Sequence, residues 1–286
     1  MQLQRRLGGL TATAEDRLPH FMEMLEWLSV AGVSPVGATC VEVGTGHKAT
    51  LPLMYALAGA ETVHTVDLNR RLQMDLMGQM IGWAVDNGED LVSRLGRHVP
   101  EEVVRERLGI LAASRSDPAA ALAAVGVNYV APGDAASLSL GEASVDIHFS
   151  MTVLEHIPAE VLRDILAEAN RVLTPNGVAL HFVDLSDHFA HGNPSISRAN
   201  FLRFAPAHWE RLAGNEFGYC NRMRSEEYRP IFTGAGLVVD RWETGVDQRS
   251  LGEITSGELP VDPCFGEFDH LELATDYLAV MARGGG

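Results

Sequence analysis

The sequence predicts an α/β fold built on a doubly wound, mainly parallel sheet. Three observations carry this: strand-length and helix-length apolar segments alternate along the chain, a Gly44-Thr45-Gly46 turn closes the first strand, and Asp67 closes the second. The 286 residues, 46% hydrophobic, suffice for a full α/β core, read here as one domain over 1–286.

Taken in order, the elements are these. Phe21, Met24, Leu25 and Leu28 fall at helical spacing and place a helix over 18–30, ahead of the first strand. The apolar run 38–43 reads as the first strand, 49–58 as the helix after the glycine turn, and 62–67 as the second strand. Strand, glycine turn, helix, strand is a βαβ unit, which imposes parallel pairing. Further strands are expected at 127–130 and 145–150, then a helix over 159–173 stopped by Pro175-Asn176-Gly177. Strands at 178–185, 236–241 and 277–281 complete seven.

Two connections are too long for simple crossovers. Segment 70–126, with Leu72, Leu76, Met80, Trp83, Val103, Val104 and Leu108 at helical spacing, reads as an insertion of two or three helices between strands 2 and 3. Segment 186–225, rich in His, Asn, Arg and aromatics, reads as a substrate lid after strand 5, where loops at the carboxyl ends of a parallel sheet build ligand sites.

Composition narrows the partners. A formal charge of −16 opposes nucleic acid and anionic membrane, both of which need a positive field. No run approaches the ~18 apolar residues of a membrane span. Cys40, Cys220 and Cys264 show no CxxC spacing, which argues for a reducing compartment and against a zinc or disulfide framework; the expected location is cytoplasmic. Cys40, in an apolar run, reads as a small core residue.

The glycine loop alone leaves two cofactors open. Gly44-Thr45-Gly46-His47-Lys48-Ala49 with Asp67 about twenty residues on fits G-x-G-x-x-G/A, because NAD and S-adenosylmethionine both lay a ribose against the turn after the first strand. Glu42, two residues before the first glycine, separates them: a carboxylate there attracts the ammonium and sulfonium of S-adenosylmethionine and repels a pyrophosphate. His47-Lys48 weakens the case for pyrophosphate further, and a long last connection followed by a final strand over 276–283 does not suit a dehydrogenase.

Five motifs in order then resemble the class I S-adenosylmethionine-dependent methyltransferases, in particular the small-molecule enzymes related to those of ubiquinone biosynthesis. They are Val41-Glu42-Val43-Gly44-Thr45-Gly46, Thr65-Val66-Asp67-Leu68-Asn69, Gly133-Asp134-Ala135, the run Ser150 to Ile157 with Leu154-Glu155-His156, and Arg171-Val172-Leu173-Thr174-Pro175-Asn176-Gly177. The resemblance covers about 38–185 and implies a Rossmann-like seven-stranded sheet with an antiparallel last strand. It also implies that Glu42, Gly44 and Gly46 hold the methionine end, Asp67 with Leu68 the ribose side, Asp134 and Ala135 the adenine, while Ser150 and Met151 line the end of strand 4. His47-Lys48 departs from the family pattern at the third loop position.

Methyl transfer to a hydroxyl needs in-line alignment and a proton acceptor, and no metal is required. Candidate bases are His188, beside Asp187, which can fix its tautomer and raise its basicity, and His156 after strand 4; His181, within a strand, reads as a packing residue. A metal held by Asp184, Asp187 and His188 is not expected, since the aspartate-asparagine set of metal-dependent O-methyltransferases is missing. Asp184, Arg203, Asn221, Arg222 and Tyr228 are candidate substrate-binding residues. Buried guanidinium needs a partner, which is either an anionic or hydroxyl-rich acceptor or an internal salt bridge to Asp184, Asp187 or Glu216. The expected function is methyl transfer from S-adenosylmethionine to a small-molecule acceptor, favouring oxygen. The alternatives are a nicotinamide oxidoreductase and a methyltransferase-fold protein that binds the cofactor without transfer. Oligomeric state is not legible.

Overall fold

The computed structural model describes residues 13–214 and 219–285. Seven strands form one sheet in the order β3-β2-β1-β4-β5-β7-β6: β1 (Thr39–Val43), β2 (Thr62–Val66), β3 (Val127–Val130), β4 (Val145–Met151), β5 (Leu173–Asp184), β6 (Leu237–Val246) and β7 (Thr275–Gly284). β1 pairs parallel with β2 and β4, and β2 with β3. β6 and β7 run antiparallel to each other, so this is the Rossmann-like mixed sheet expected. The chain divides into two compact units: one running to Phe149 and including Val172–Val178, the other comprising Ser150–Arg171 and everything from Ala179.

In the first unit, α1 (Leu18–Val30) buries Leu18, Phe21, Met24, Leu25, Trp27 and Leu28. Phe21 meets Tyr55 edge-on at 4.9 Å between ring centroids, and Tyr55 packs on Phe149 at 4.4 Å. α2 (Thr50–Leu57), which follows the glycine turn, is buried along its whole length. Cys40 is fully buried, its thiol pKa raised chiefly by that burial, as befits a core residue. Between β2 and β3 the segment read as two or three helices holds four: α3 (Met74–Asp86), α4 (Gly88–Leu95), α5 (Glu101–Ala113) and α6 (Pro118–Ala124). α6 has only seven residues. It is started by the Asp117 carboxylate, which accepts from the amides of Ala119 and Ala120 at 3.1 Å, and by Pro118 in its first turn.

β5 begins five residues earlier than the turn signature suggested. Thr174 Oγ1 donates to Asp146 Oδ1 at 3.2 Å, and a Cβ on Gly177 would lie 2.9 Å from the Val145 carbonyl oxygen. Gly177 therefore permits a close approach of backbones within an extended strand instead of ending a helix.

The second unit contains α7 (Ala159–Val172, to Arg171), α8 (Pro206–Ala213), α9 (Ser225–Gly234), α10 (Gln248–Ser256), α11 (His270–Leu273) and the strands β6 and β7. Phe201, Leu202, Trp209, Ile254, Phe265 and Leu273 form one apolar core, so the aromatics after β5 pack on residues from the β6–β7 connection. That connection contributes α10 and α11, which the sequence reading left without structure.

Candidate cofactor and acceptor sites

In the first unit, β1 runs straight into the glycine turn, where Gly44 and Gly46 take φ of 84° and 64°. Only glycine adopts such values without strain. A Cβ on Gly46 would meet nothing within 4 Å, so the backbone here borders open space that a ligand can approach closely. Glu42 is 5% exposed; Thr65 Oγ1 donates to its Oε2, and Thr45 and Thr65 join their hydroxyls behind it. Burial, partly offset by the Thr65 hydrogen bond and reinforced by the nearby Asp67 charge, pushes the Glu42 carboxyl up to about 8.

The half-buried Asp67 accepts from the Gly46 amide at 2.9 Å through Oδ2 and from the Asn69 amide at 3.1 Å through Oδ1. Next to it Leu68 is 71% exposed, an apolar surface beside a polar turn. The Tyr129 hydroxyl braces this turn, accepting from the amides of Arg71 and Leu72 at 3.0 and 3.3 Å. Asp134 is exposed and closes a small turn on the Ala136 amide at 2.9 Å, with Ala135 buried beneath. The residues that depart from the family pattern are tied down too: His47 Nδ1 lies 3.2 Å from both the Arg71 carbonyl and Gln73 Nε2, and Lys48 Nζ lies 4.0 Å from Asp16.

In the second unit, histidines and carboxylates gather. His156 donates from Nδ1 to the Tyr219 carbonyl at 2.8 Å, which leaves Nε2 3.9 Å from a Glu155 oxygen; Glu155 is 1% exposed. The rings of His156 and His188 are 4.9 Å apart, and those of His188 and His191 stack at 5.3 Å. Asp184 Oδ1 accepts from the Ser186 amide and hydroxyl at 2.9 and 2.6 Å. Its Oδ2 lies 3.6 Å from His188 Nε2 and 3.4 Å from His191 Nε2.

A methyltransferase-domain family model matches residues 106–181, a span that holds Asp134, all of β4, Glu155-His156 and the first nine residues of β5. That stretch of the chain is similar to the methyltransferase domain. No curated protein matches the chain. Among solved structures, this chain is similar to magnesium protoporphyrin IX methyltransferase from Synechocystis PCC 6803 with bound S-adenosylhomocysteine, at 12% identity, covering 92% of this chain and 81% of that one, with a TM-score of 0.47. It is also similar to geranyl diphosphate C-methyltransferase from Streptomyces coelicolor A3(2), at 14% identity, 92% and 78% coverage and a TM-score of 0.48. A third is an S-adenosylmethionine-dependent methyltransferase from Mesorhizobium loti, at 14% identity, 91% and 97% coverage and a TM-score of 0.44.

The first unit offers a buried acid, Glu42, and a glycine turn with open space beside the Gly46 α-carbon. Several expectations are corrected. Asp187 does not orient His188, because its carboxylate accepts from the Phe189 amide at 2.9 Å and Asn200 Nδ2 at 3.1 Å. Asp184 is the carboxylate facing His188. Nor is that imidazole made more basic: burial, opposed by Asp184 and assisted by the neighbouring His156 and His191, lowers its pKa to about 4.

The Ser150 hydroxyl is buried and bonded to His181 Nδ1 at 2.8 Å, and His181 is itself fully buried within β5. Met151 is 8% exposed. Asn221 is fully used as a clamp: Nδ2 donates to the carbonyls of Leu154 and Ile157 at 3.0 and 2.9 Å, and Oδ1 accepts from the Met223 amide and the Tyr228 hydroxyl. That also commits Tyr228, which is buried. Arg222 lines a cavity with Pro206, Cys264 and Phe265, and its hydrogen bonds go to neither Asp184 nor Asp187. Its NH1 donates to the carbonyls of Phe201 and Phe204 at 3.0 and 2.6 Å, and its guanidinium lies 5.3 Å from the Trp209 ring and 5.1 Å from Phe265. Glu216 lies outside the described residues. Of the substrate-binding candidates, Asp184 joins the histidine cluster, and Arg203 is exposed, 3.5 Å from Asn200 Oδ1 and 6.0 Å from the Phe204 ring centroid.

Sequence reasoning missed Glu155, His191 and Arg224. Arg224 is 1% exposed and donates to the carbonyls of Leu185 and Thr275 at 2.9 and 3.0 Å. His191 had a signal, its i,i+3 spacing from His188; Arg224 had none.

Proposed function

We propose that this chain is an S-adenosylmethionine-dependent methyltransferase that acts on a small-molecule hydroxyl, with the acceptor's proton taken up at the cluster of Glu155, His156, Asp184, His188 and His191. The observation that carries this reading is the convergence of three imidazoles on two carboxylates directly after β4 and β5. An amine acceptor would need only to be neutral and would leave such a cluster without a task.

The cofactor supplies a methyl carbon activated by sulfonium, open to in-line displacement. Glu42, ionised when a cation sits beside it, holds the ammonium end. The backbone of the turn at Gly44 and Gly46 lies along the methionine end, Asp67 accepts from the ribose hydroxyls, and Leu68 lies against the base. Asp134 accepts from the adenine amino group and the Ala135 amide donates to the ring. Met151 closes the end of β4. In the second unit, Asp184, oriented by Ser186, fixes the imidazoles that face the acceptor, while segment 186–225 serves as the lid and 70–126 as a helical insertion of the methyltransferase domain.

The test is incubation with S-adenosylmethionine labelled at its methyl carbon and a panel of hydroxylated, amino and carbon acceptors, with NMR identification of the atom that receives the label. Label on oxygen supports the reading. Label only on nitrogen or carbon sinks it.

A further inference from the structure

The histidine cluster offers more than proton acceptors. Glu155, His156 and His188 each present one ligand atom, and the three lie within 4.8 Å of one another. Nitrogen and oxygen ligands sit about 2.0–2.2 Å from a divalent transition metal, so ligands of one tetrahedral ion are roughly 3.3–3.6 Å apart. Closing the set around an ion thus asks for side-chain shifts of up to about an ångström. Two further features are those of metal ligands. His156 donates its Nδ1 proton to the Tyr219 carbonyl, which orients the ring and leaves Nε2 to face Glu155. Asp184 has one oxygen fixed by Ser186, and its other oxygen lies 3.6 Å from His188 Nε2. Carbonyl-bound imidazoles and hydrogen-bonded carboxylates are the usual outer shell of metal sites.

The geometry points to a divalent transition-metal site formed by Glu155, His156 and His188, with Asp184 as the adjoining carboxylate. Two imidazoles with a carboxylate favour Zn²⁺, Mn²⁺ or Fe²⁺ over Mg²⁺ and Ca²⁺, which prefer an all-oxygen set. The set comes from two stretches of chain, the turn after β4 and the short helix after β5, so residue spacing in the sequence did not disclose it. Resting on the hydroxyl-transfer reading, an ion here would act as a Lewis acid on the acceptor oxygen and lower its pKa.

The test is calorimetric titration of the full chain, after chelator treatment, with ZnCl₂, MnCl₂ and MgCl₂, followed by titration with S-adenosylhomocysteine in the same samples. The expected result is one equivalent of Zn²⁺ or Mn²⁺ and at least tenfold weaker Mg²⁺ binding. His188→Ala and Glu155→Gln should each weaken metal binding by roughly 100-fold, Ser186→Ala by about 10-fold, and His270→Ala, remote from the cluster, not at all. No binding, several weak equivalent sites, or unchanged affinity in His188→Ala would overturn the inference. Retained S-adenosylhomocysteine binding shows that a variant is folded. If a ligand variant fails that check, Ser186→Ala, which removes only one hydroxyl, decides. A protein that binds S-adenosylhomocysteine but no metal refutes the site and leaves hydroxyl transfer standing, whereas one that binds metal while methylating only nitrogen does the reverse.

Discussion

Glu42 makes cofactor binding depend on pH in a way that can be worked out. Its carboxyl, raised to about 8 by burial, is mostly protonated at neutral pH in the free protein. An ammonium brought beside it stabilises the anion, so below pH 8 cofactor binding must release a proton. Each pH unit below 8 costs about a factor of ten in affinity, or about 1.4 kcal/mol, so binding at pH 6 should be about 100-fold weaker than at the plateau above pH 8. The free protein shows the opposite trend. A carboxyl raised above its ordinary 4.5 contributes stability that is full below about pH 4.5 and is lost as pH rises through about 8. The assay is calorimetry with S-adenosylhomocysteine between about pH 6 and 9, in buffers of different ionisation enthalpy so that the released proton is counted directly. Glu42→Gln should bind weakly and without pH dependence. Affinity in the native protein that stays flat across this range, with the same heat in every buffer, would refute the reasoning.

Three further outcomes follow from named contacts. Tyr129→Phe removes the hydroxyl that accepts from the amides of Arg71 and Leu72, and should weaken S-adenosylhomocysteine binding by about 2- to 10-fold, the worth of a hydrogen bond or so. Unchanged affinity would mean that the turn after Asp67 does not need its brace. Gly46→Ala, at φ 64° and facing open space, should cost about 1–2 kcal/mol in backbone strain and reduce cofactor affinity beyond that, measured by denaturant unfolding alongside calorimetry. An equal loss in both would place no ligand against that turn. Asn221→Ala strands the carbonyls of Leu154 and Ile157 and should destabilise the protein by about 1–3 kcal/mol. A melting temperature within error of the native value would count against the clamp.

The first half of the sheet was legible because each strand ends on a residue with its own chemistry: Glu42 and the glycines after β1, Asp67 after β2, Asp134 after β3. Periodicity could not separate four short helices from three longer ones in 70–126, since α3 and α4 abut at Asn87 and the break signal there, Asn87-Gly88, is absorbed into the start of α4. The start of β5 was obscured by Pro175-Asn176-Gly177, whose glycine serves a close backbone approach. In the second unit, residue type was legible and role was not. Asn221, Arg222 and Tyr228 looked like ligand-facing groups because they are polar and clustered, yet backbone carbonyls and aromatic faces from other elements consume them. The cluster's make-up, with Glu155 and His191 in it and Asp184 in place of Asp187, needs the chain's path between β4 and β5, which no local pattern encodes.

The central claim is that the first unit holds S-adenosylmethionine through Glu42, the glycine turn and Asp67. The most direct measurement is a calorimetric titration of the native protein and Asp67→Ala with S-adenosylhomocysteine and, separately, NADH. The account predicts one S-adenosylhomocysteine site per chain, lost in Asp67→Ala, and no NADH binding. Tight NADH binding with no response to S-adenosylhomocysteine would contradict it.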